Sequence, residues 1–382
     1  GAIETFERCA ELDYANAGLH GQLGLLYHLQ KRPLDAKTEF RRALRYAPGD
    51  ALALYTLGLI AEEEKNWPEA IDQFERLVKK RPDFTEALLH LGYLYNQAED
   101  LKGAVGALRR ASQASPNMPD VWYYLGIAQS ERGELKSAEA SFRRCASLNP
   151  KAPEPRFQLG VILDRQGRWE ESVPEFFRVM ELNPKSAAAY NYVGYSWADR
   201  GVKLDEALKL VSRAVELDPD SGAYLDSLGW VLFRMGKVED ARAMLATAAG
   251  KQSDPVIFDH LGDACEATGR LDDAVAAWSR ALRLDPKMKP VRKKLEAAAS
   301  RHPATLAGLL RRMSAAQVIW RDLTGFVSGE VVWEKKFYGL RGGFTYRRGG
   351  DDGPAGPLLR VDLLGPFAIP QGVLLVKDRP RL

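Results

Sequence analysis

Little in this 382-residue chain is suited to covalent or metal chemistry. Its three cysteines, Cys9, Cys145 and Cys265, stand far apart, and no two have the spacing of a metal-ligand or redox pair. The five histidines, His20, His28, His90, His260 and His302, are scattered too, and none belongs to a His-x-x-x-His or Glu-paired metal motif. No Gly-x-Ser-x-Gly nucleophile elbow occurs, and Arg341-Gly342-Gly343 lacks the Lys-Ser/Thr ending of a phosphate loop. No catalytic residue, metal site or cofactor is therefore predicted, and the chain is not expected to be an enzyme.

Long apolar runs are also missing. Nothing approaches the roughly 20 residues that a membrane-spanning helix requires. The start, Gly1-Ala2-Ile3-Glu4, has no initiator methionine, no signal-type apolar region and no lipobox-like run before Cys9, and reads as the middle of a helix in a trimmed chain. The lack of an export signal is then no guide to compartment. Charge of one sign is not in large excess either: the net charge is +3, but from Arg301 onward there are 13 Lys/Arg against 7 Asp/Glu, leaving 41 against 44 before it. A weakly acidic body thus carries a modestly basic tail, which serves either solubility or an anionic surface.

What the chain does have is a period. Pro48, Pro82, Pro116, Pro150 and Pro184 recur every 34 residues, and Pro219 follows 35 later. Each closes a short segment such as Leu148-Asn149-Pro150, where a ring that cannot continue a helix ends one and lets the next begin. Upstream of each closing segment lies a Leu-Gly or close equivalent: Leu23-Gly24, Leu57-Gly58, Leu91-Gly92, Leu125-Gly126, Leu159-Gly160, Val193-Gly194, Leu228-Gly229 and Leu261-Gly262. Between them a small residue is followed four positions on by a large one, as in Ala36/Phe40, Ala70/Phe74, Ser172/Phe176 and Ala274/Trp278, so the two share one helical face. Glycine inside a helix costs about 1 kcal/mol, and close approach of a partner helix is the reason to tolerate it. The sixth unit has one extra turn residue near Gly201-Val202-Lys203, and the seventh has Ser253 where a proline is expected.

These positions resemble the tetratricopeptide pattern over about 70% of the chain. The resemblance implies a mainly α fold: an α-solenoid in which helix-turn-helix repeats stack into a right-handed superhelix, followed by a small, incomplete antiparallel β segment. The expected organisation is a remnant of an upstream repeat helix at 1–16, eight repeats over 17–286, a capping helix at 287–300, a connecting helix at 301–322, and the β segment at 323–382. Cys9 and Cys145 fall at a repeat position that normally takes Ala, which predicts small packed side chains.

In this family the first helix of each unit lines the inner face. The resemblance places Tyr55, Leu59, Leu89, Tyr93, Tyr123, Ile127, Phe157, Val161, Tyr195 and Trp230 there, bordered by Glu62, Glu63, Glu86, Asp120, Glu131, Asp164, Asp199 and Asp226. Such a track either receives an extended or helical partner segment that is apolar with basic flanks, or buries part of its side chains against neighbouring helices. The sites that carry the Lys/Asn/Arg clamp on chaperone C-termini in one subtype are mainly apolar or acidic here, so that function is not expected. Nucleic acid is not expected, because phosphates would meet Asp and Glu.

After 317 the pattern changes to short apolar runs, with candidate strands at Phe326–Glu334, Phe337–Arg347, Leu358–Leu364 and Gly372–Lys377. Val327 to Trp333, Gly339 to Tyr346 and Leu359 to Phe367 resemble the start of the bacterial lipoprotein-carrier half-barrel, in particular its outer-membrane receptor branch. That resemblance implies a turn residue, Phe367 with Ile369, that either faces a membrane or packs in an ordinary hairpin core. The functional expectation is a protein-interaction scaffold in the periplasm or at the outer membrane of a bacterium, with a lipoprotein or membrane surface as a further partner. The alternatives are a lipid or lipoprotein carrier docked by its repeats, and a cytoplasmic assembly factor.

Overall fold

The computed structural model describes residues 2–301 and, beyond them, residues 331–333, 336–338, 343–347 and 358–362. Among the described residues there are eighteen helices. After α1 (Ala2–Leu12), the first helices of the repeats are α2 (Ala17–Leu29), α4 (Ala51–Glu63), α6 (Thr85–Gln97), α8 (Pro119–Glu131), α10 (Glu154–Arg165), α12 (Ala187–Arg200), α14 (Gly222–Arg234) and α16 (Pro255–Ala267). The second helices are α3 (Pro33–Tyr46), α5 (Trp67–Lys80), α7 (Leu101–Ala114), α9 (Leu135–Leu148), α11 (Trp169–Leu182), α13 (Leu204–Leu217), α15 (Val238–Lys251) and α17 (Leu271–Leu284), and α18 (Lys289–Arg301) follows. The chain divides into two compact units, Gly1–Ala189 and Tyr190–Leu382.

Each pair is fastened where the first helix lacks a side chain. A methyl group placed on Gly58 would come within 2.7 Å of the Phe74 ring, on Gly126 within 2.7 Å of Phe142, and on Gly160 within 2.7 Å of Phe176. The same close approach joins Gly194 to Val211, Gly229 to Leu245 and Gly262 to Trp278. Phe40, Phe74, Phe142, Phe176 and Trp278 are wholly buried. Full burial of such a side chain is worth roughly 1.5–3 kcal/mol, more than the helix penalty of the glycine that permits it.

The turns inside the pairs repeat as closely as the contacts. Gly133, Gly167, Gly201, Gly236 and Gly269 all adopt positive φ, between 70° and 81°, at the residue where the first helix yields to the second. In the first three repeats that place is held by Lys31, Lys65 and Glu99 at φ 56–60°. The extra residue of the sixth unit appears as a second left-handed position, Lys203 at φ 49°, two residues after Gly201. Side-chain caps from Asn16, Asp50, Asn66, Asp100, Ser221 and Asp254 satisfy first-turn amides of the helices they precede.

The fold class expected from sequence is corrected in its second half. The described chain is a helical solenoid, and among the described residues of the tail there is no antiparallel half-barrel. The tail residues that are described make two separate two-stranded ladders, β1 (Val331–Trp333) with β2 (Lys336–Tyr338) and β3 (Gly343–Arg347) with β4 (Leu358–Asp362). The run Phe337–Arg347, expected to be one strand, contributes to both ladders, and it is punctuated by Gly339, Gly342 and Gly343, which weaken a strand interior. A lone two-stranded ladder is marginal in water and does not make a β domain. The candidate strand 372–377, Phe367, Ile369 and residues 302–322 lie outside the described residues.

The glycine contacts give opposite predictions for two glycines in adjacent helices. A methyl group on Gly92 would sit 2.5 Å from Leu108, whereas one on Gly106 meets nothing within 4 Å. Gly92→Ala is expected to lower stability by about 1–2 kcal/mol, because overpacking outweighs the gain in helix propensity. Gly106→Ala is expected to raise it by roughly 0.5–1 kcal/mol. Urea unfolding of both variants checks this, and a stabilising Gly92→Ala would contradict the packing account.

Candidate partner-binding face

At three Leu-Gly pairs the side chain just before the Leu, His90, Gln158 or His260, reaches back to the preceding first helix. In the first unit His90 precedes Leu91 and reaches α4. Its Nδ1 lies 2.8 Å from Oε2 of Glu62, and its Nε2 lies 3.4 Å from Tyr55 Oη. A carboxylate can only accept, so in the neutral ring Nδ1 donates and Nε2 accepts from the tyrosine. Phe74 stacks beneath the imidazole at 5.0 Å with rings 5° from parallel. Burial pushes the Tyr55 phenol up, helped by Glu86 and Glu62. The same step recurs between α8 and α10, where Tyr123 is hydrogen-bonded to Gln158.

Other residues on the first helices of this unit divide by exposure. Leu89, Ile127 and Phe157 are half-buried, Leu89 and Ile127 packed against the helix-pair cores and Phe157 edge-on to Phe176 at 5.3 Å. Tyr93 is 45% exposed, Tyr124 is 51% exposed, and Glu86 and Asp120 are exposed beside them. Leu59, Glu62, Glu63, Lys65, Trp67 and Tyr93 line an open surface pocket of about 380 Å³. Trp67 and Tyr93 meet edge to face, 6.4 Å between centroids.

In the second unit the same step, at His260 and Lys294, produces polar locks. His260, just before Leu261, places Nδ1 at 2.9 and 3.1 Å from the two carboxylate oxygens of Asp226. Trp230 stacks on the imidazole at 4.1 Å, and Tyr195 lies 6.2 Å from it. Asp226, expected as a solvated acidic border, is instead 6% exposed, because His260 and Trp230 close over it. One step further, Lys294 of α18 donates 2.7 Å bonds to both Asp259 and Asp263, and Trp278 Nε1 donates to Asp263 at 3.2 Å. Burial raises Asp263 above the usual carboxylate range against the opposing pull of Lys294. Burial works against the Lys294 charge as well, yet its two carboxylate bonds hold its pKa above the ordinary value.

Sequence reasoning missed Trp67, Tyr124, Lys294 and the pairing roles of His90 and His260. The signal was the place of Tyr124, His90 and His260 one residue before the Leu of Leu-Gly, of Lys294 one residue before Leu295 in the helix that follows the last repeat, and of Trp67 at the start of the second helix. Cys145 is buried and its thiol is pushed up to about 11 by desolvation, which makes it a poor nucleophile at neutral pH. Cys9, expected to pack like Cys145, is exposed on α1. Among the described residues no group of three or more His, Cys, Asp or Glu could hold a metal ion, and no helix is long and apolar enough to cross a membrane.

Paired helices, the glycine approach within each pair and the 34-residue step together define a tetratricopeptide-repeat protein. The chain belongs to the repeat family described as the cilia and flagella-associated protein 70 C-terminal domain, whose model matches residues 53–255. A general tetratricopeptide-repeat model also matches residues 22–83 and 227–289. A TPR repeat-containing protein of Pseudomonas aeruginosa is 41% identical over 78 residues, which are 20% of this chain and 13% of that protein's length. Among solved structures, a tetratricopeptide repeat protein from Parabacteroides merdae shares the fold at TM-score 0.55 and 16% identity, over 65% of this chain and 98% of that one. YrrB, described as a TPR protein with an unusual peptide-binding site, aligns with 49% of this chain and 95% of its own at 24% identity and TM-score 0.44. The family matches lie within residues 22–289, and neither reaches the tail that resembles a lipoprotein carrier.

Burial, together with Asp199, Asp226 and Asp259, pushes the Tyr195 phenol up from 10.0 to about 12. Between those values the unfolded chain has lost this proton and the folded chain keeps it, so stability falls as pH rises through the window. Tyr195→Phe is expected to flatten the fall by up to one proton, read from urea unfolding at stepped pH between 9.5 and 11.5. An unchanged slope would place Tyr195 in a solvated environment.

Proposed function

We propose that this chain is a protein-interaction scaffold that holds a partner segment, apolar with basic flanks, on the first-helix face of its first unit. The observation that carries this reading is the exposure of Tyr93 and Tyr124 on α6 and α8, beside exposed Glu86 and Asp120. Large aromatics left in water forgo burial that a partner can restore, and Tyr is enriched among residues that dominate interfaces. The carboxylates add attraction for basic flanks and exclude acidic partners. Membership of a tetratricopeptide-repeat family supports protein or peptide binding in general. The carrier alternative gains nothing from the described tail, whose two ladders are not a sheet that could wrap an acyl chain. A bacterial-envelope location rests on the tail's sequence alone, and this reading does not require it.

Selection of random 12-residue peptides on the full chain tests the proposal. Binders should combine apolar residues with Lys or Arg, and Tyr93→Ala and Tyr124→Ala should each weaken them about tenfold or more. Both side chains are exposed, so the melting temperature should stay where it is. Full affinity in the double variant would move the interaction off this face.

A further inference from the structure

The pocket between α4 and α6 has the makings of a site for one kind of side chain. Trp67 and Tyr93 stand at 90° to each other and form two aromatic walls. Half-buried Leu59 adds an apolar surface, and Glu62 and Glu63 supply two carboxylates from the end of α4. His90 engages one oxygen of Glu62 and fixes that carboxylate in place. The opposing charge is Lys65, set in the turn at φ 58°.

We infer that this pocket takes the side chain of an arginine from the partner segment. The inference rests on the reading above and names the residue that the segment must carry. A guanidinium is planar, so it can lie flat on one ring while its N–H edge points at carboxylates, and the aromatic faces attract its charge. A lysine ammonium is a compact, strongly hydrated charge with no face to stack. A trimethylated lysine suits an aromatic cage but leaves the carboxylates without hydrogen bonds. An acidic side chain would face two carboxylates against one ammonium. The chain already builds this arrangement internally: the Arg32 guanidinium lies 4.4 Å over the Tyr27 ring while its Nε donates to Asp35 at 2.8 Å. Lys65 is the element that opposes the ligand, so its removal strengthens binding.

The test uses the full chain and an arginine-bearing peptide obtained by display selection, measured by calorimetry. Replacing that arginine with citrulline, which keeps the shape and removes the charge, is expected to cost about tenfold, and replacement with lysine several-fold. Glu63→Gln, at an exposed position, should weaken the arginine peptide and leave the citrulline peptide unaffected. Lys65→Ala should tighten the arginine peptide alone. Trp67→Leu should erase the preference, with circular dichroism confirming its fold. Selected peptides that bind without any arginine preference, citrulline binding as tightly as arginine, or tighter binding of trimethyl-lysine would overturn the inference while leaving the face itself standing. Failure to select any peptide would overturn both.

Discussion

The missing side chain at each Leu-Gly glycine lets a large residue of the second helix, such as Phe74 on Gly58 or Trp278 on Gly262, rest against the backbone of the first. That contact sets how near the two helices of a repeat lie. With the glycine side of the first helix committed to its own partner, the residues two before and one before the leucine are left to meet the next first helix. Tyr55 with His90, Tyr123 with Gln158, Asp226 with His260 and Asp259 with Lys294 are four instances of that meeting. The inner layer therefore follows from the packing inside the pairs.

Where both members of the step are polar, the face closes on itself. Asp226 and His260 satisfy one another under Trp230, and Lys294 answers two carboxylates at once. Breaking such a buried pair leaves a charge without compensation, and side chains already paired in this way are not free to meet a partner. On α6 and α8 the corresponding side chains are Leu89, Tyr93 and Tyr124, which cannot answer each other with charge, and two of the three stay exposed. The difference between a locked and an open stretch of the same face is thus a matter of which residue precedes or follows the Leu-Gly pair.

The proline step, the Leu-Gly pairs and the extra turn residue near Gly201 were legible in the sequence, because backbone constraints leave marks on residue type. The inner-face residues were legible in position but not in state. Asp226 and Asp120 read alike as acidic borders, yet one is buried and the other exposed, because the distinction depends on a histidine 34 residues downstream. Trp67 was overlooked since it belongs to the second helix and reaches the face only across the turn at Lys65. The tail misled for the opposite reason. Alternating apolar residues show that strands can form, but which strands pair is set by long-range partners, and among the described residues the two ladders stay separate rather than forming the expected half-barrel.

The central claim is that a partner rides on the first-helix face of the first unit. Photo-crosslinking tests it most directly, with benzoylphenylalanine placed at position 93, at position 124, or at position 106 on the exposed side of α7, and a peptide selected on the chain as probe. The account predicts crosslinks from 93 and 124 and none from 106. Crosslinks from 106 with none from 93 or 124 would contradict it.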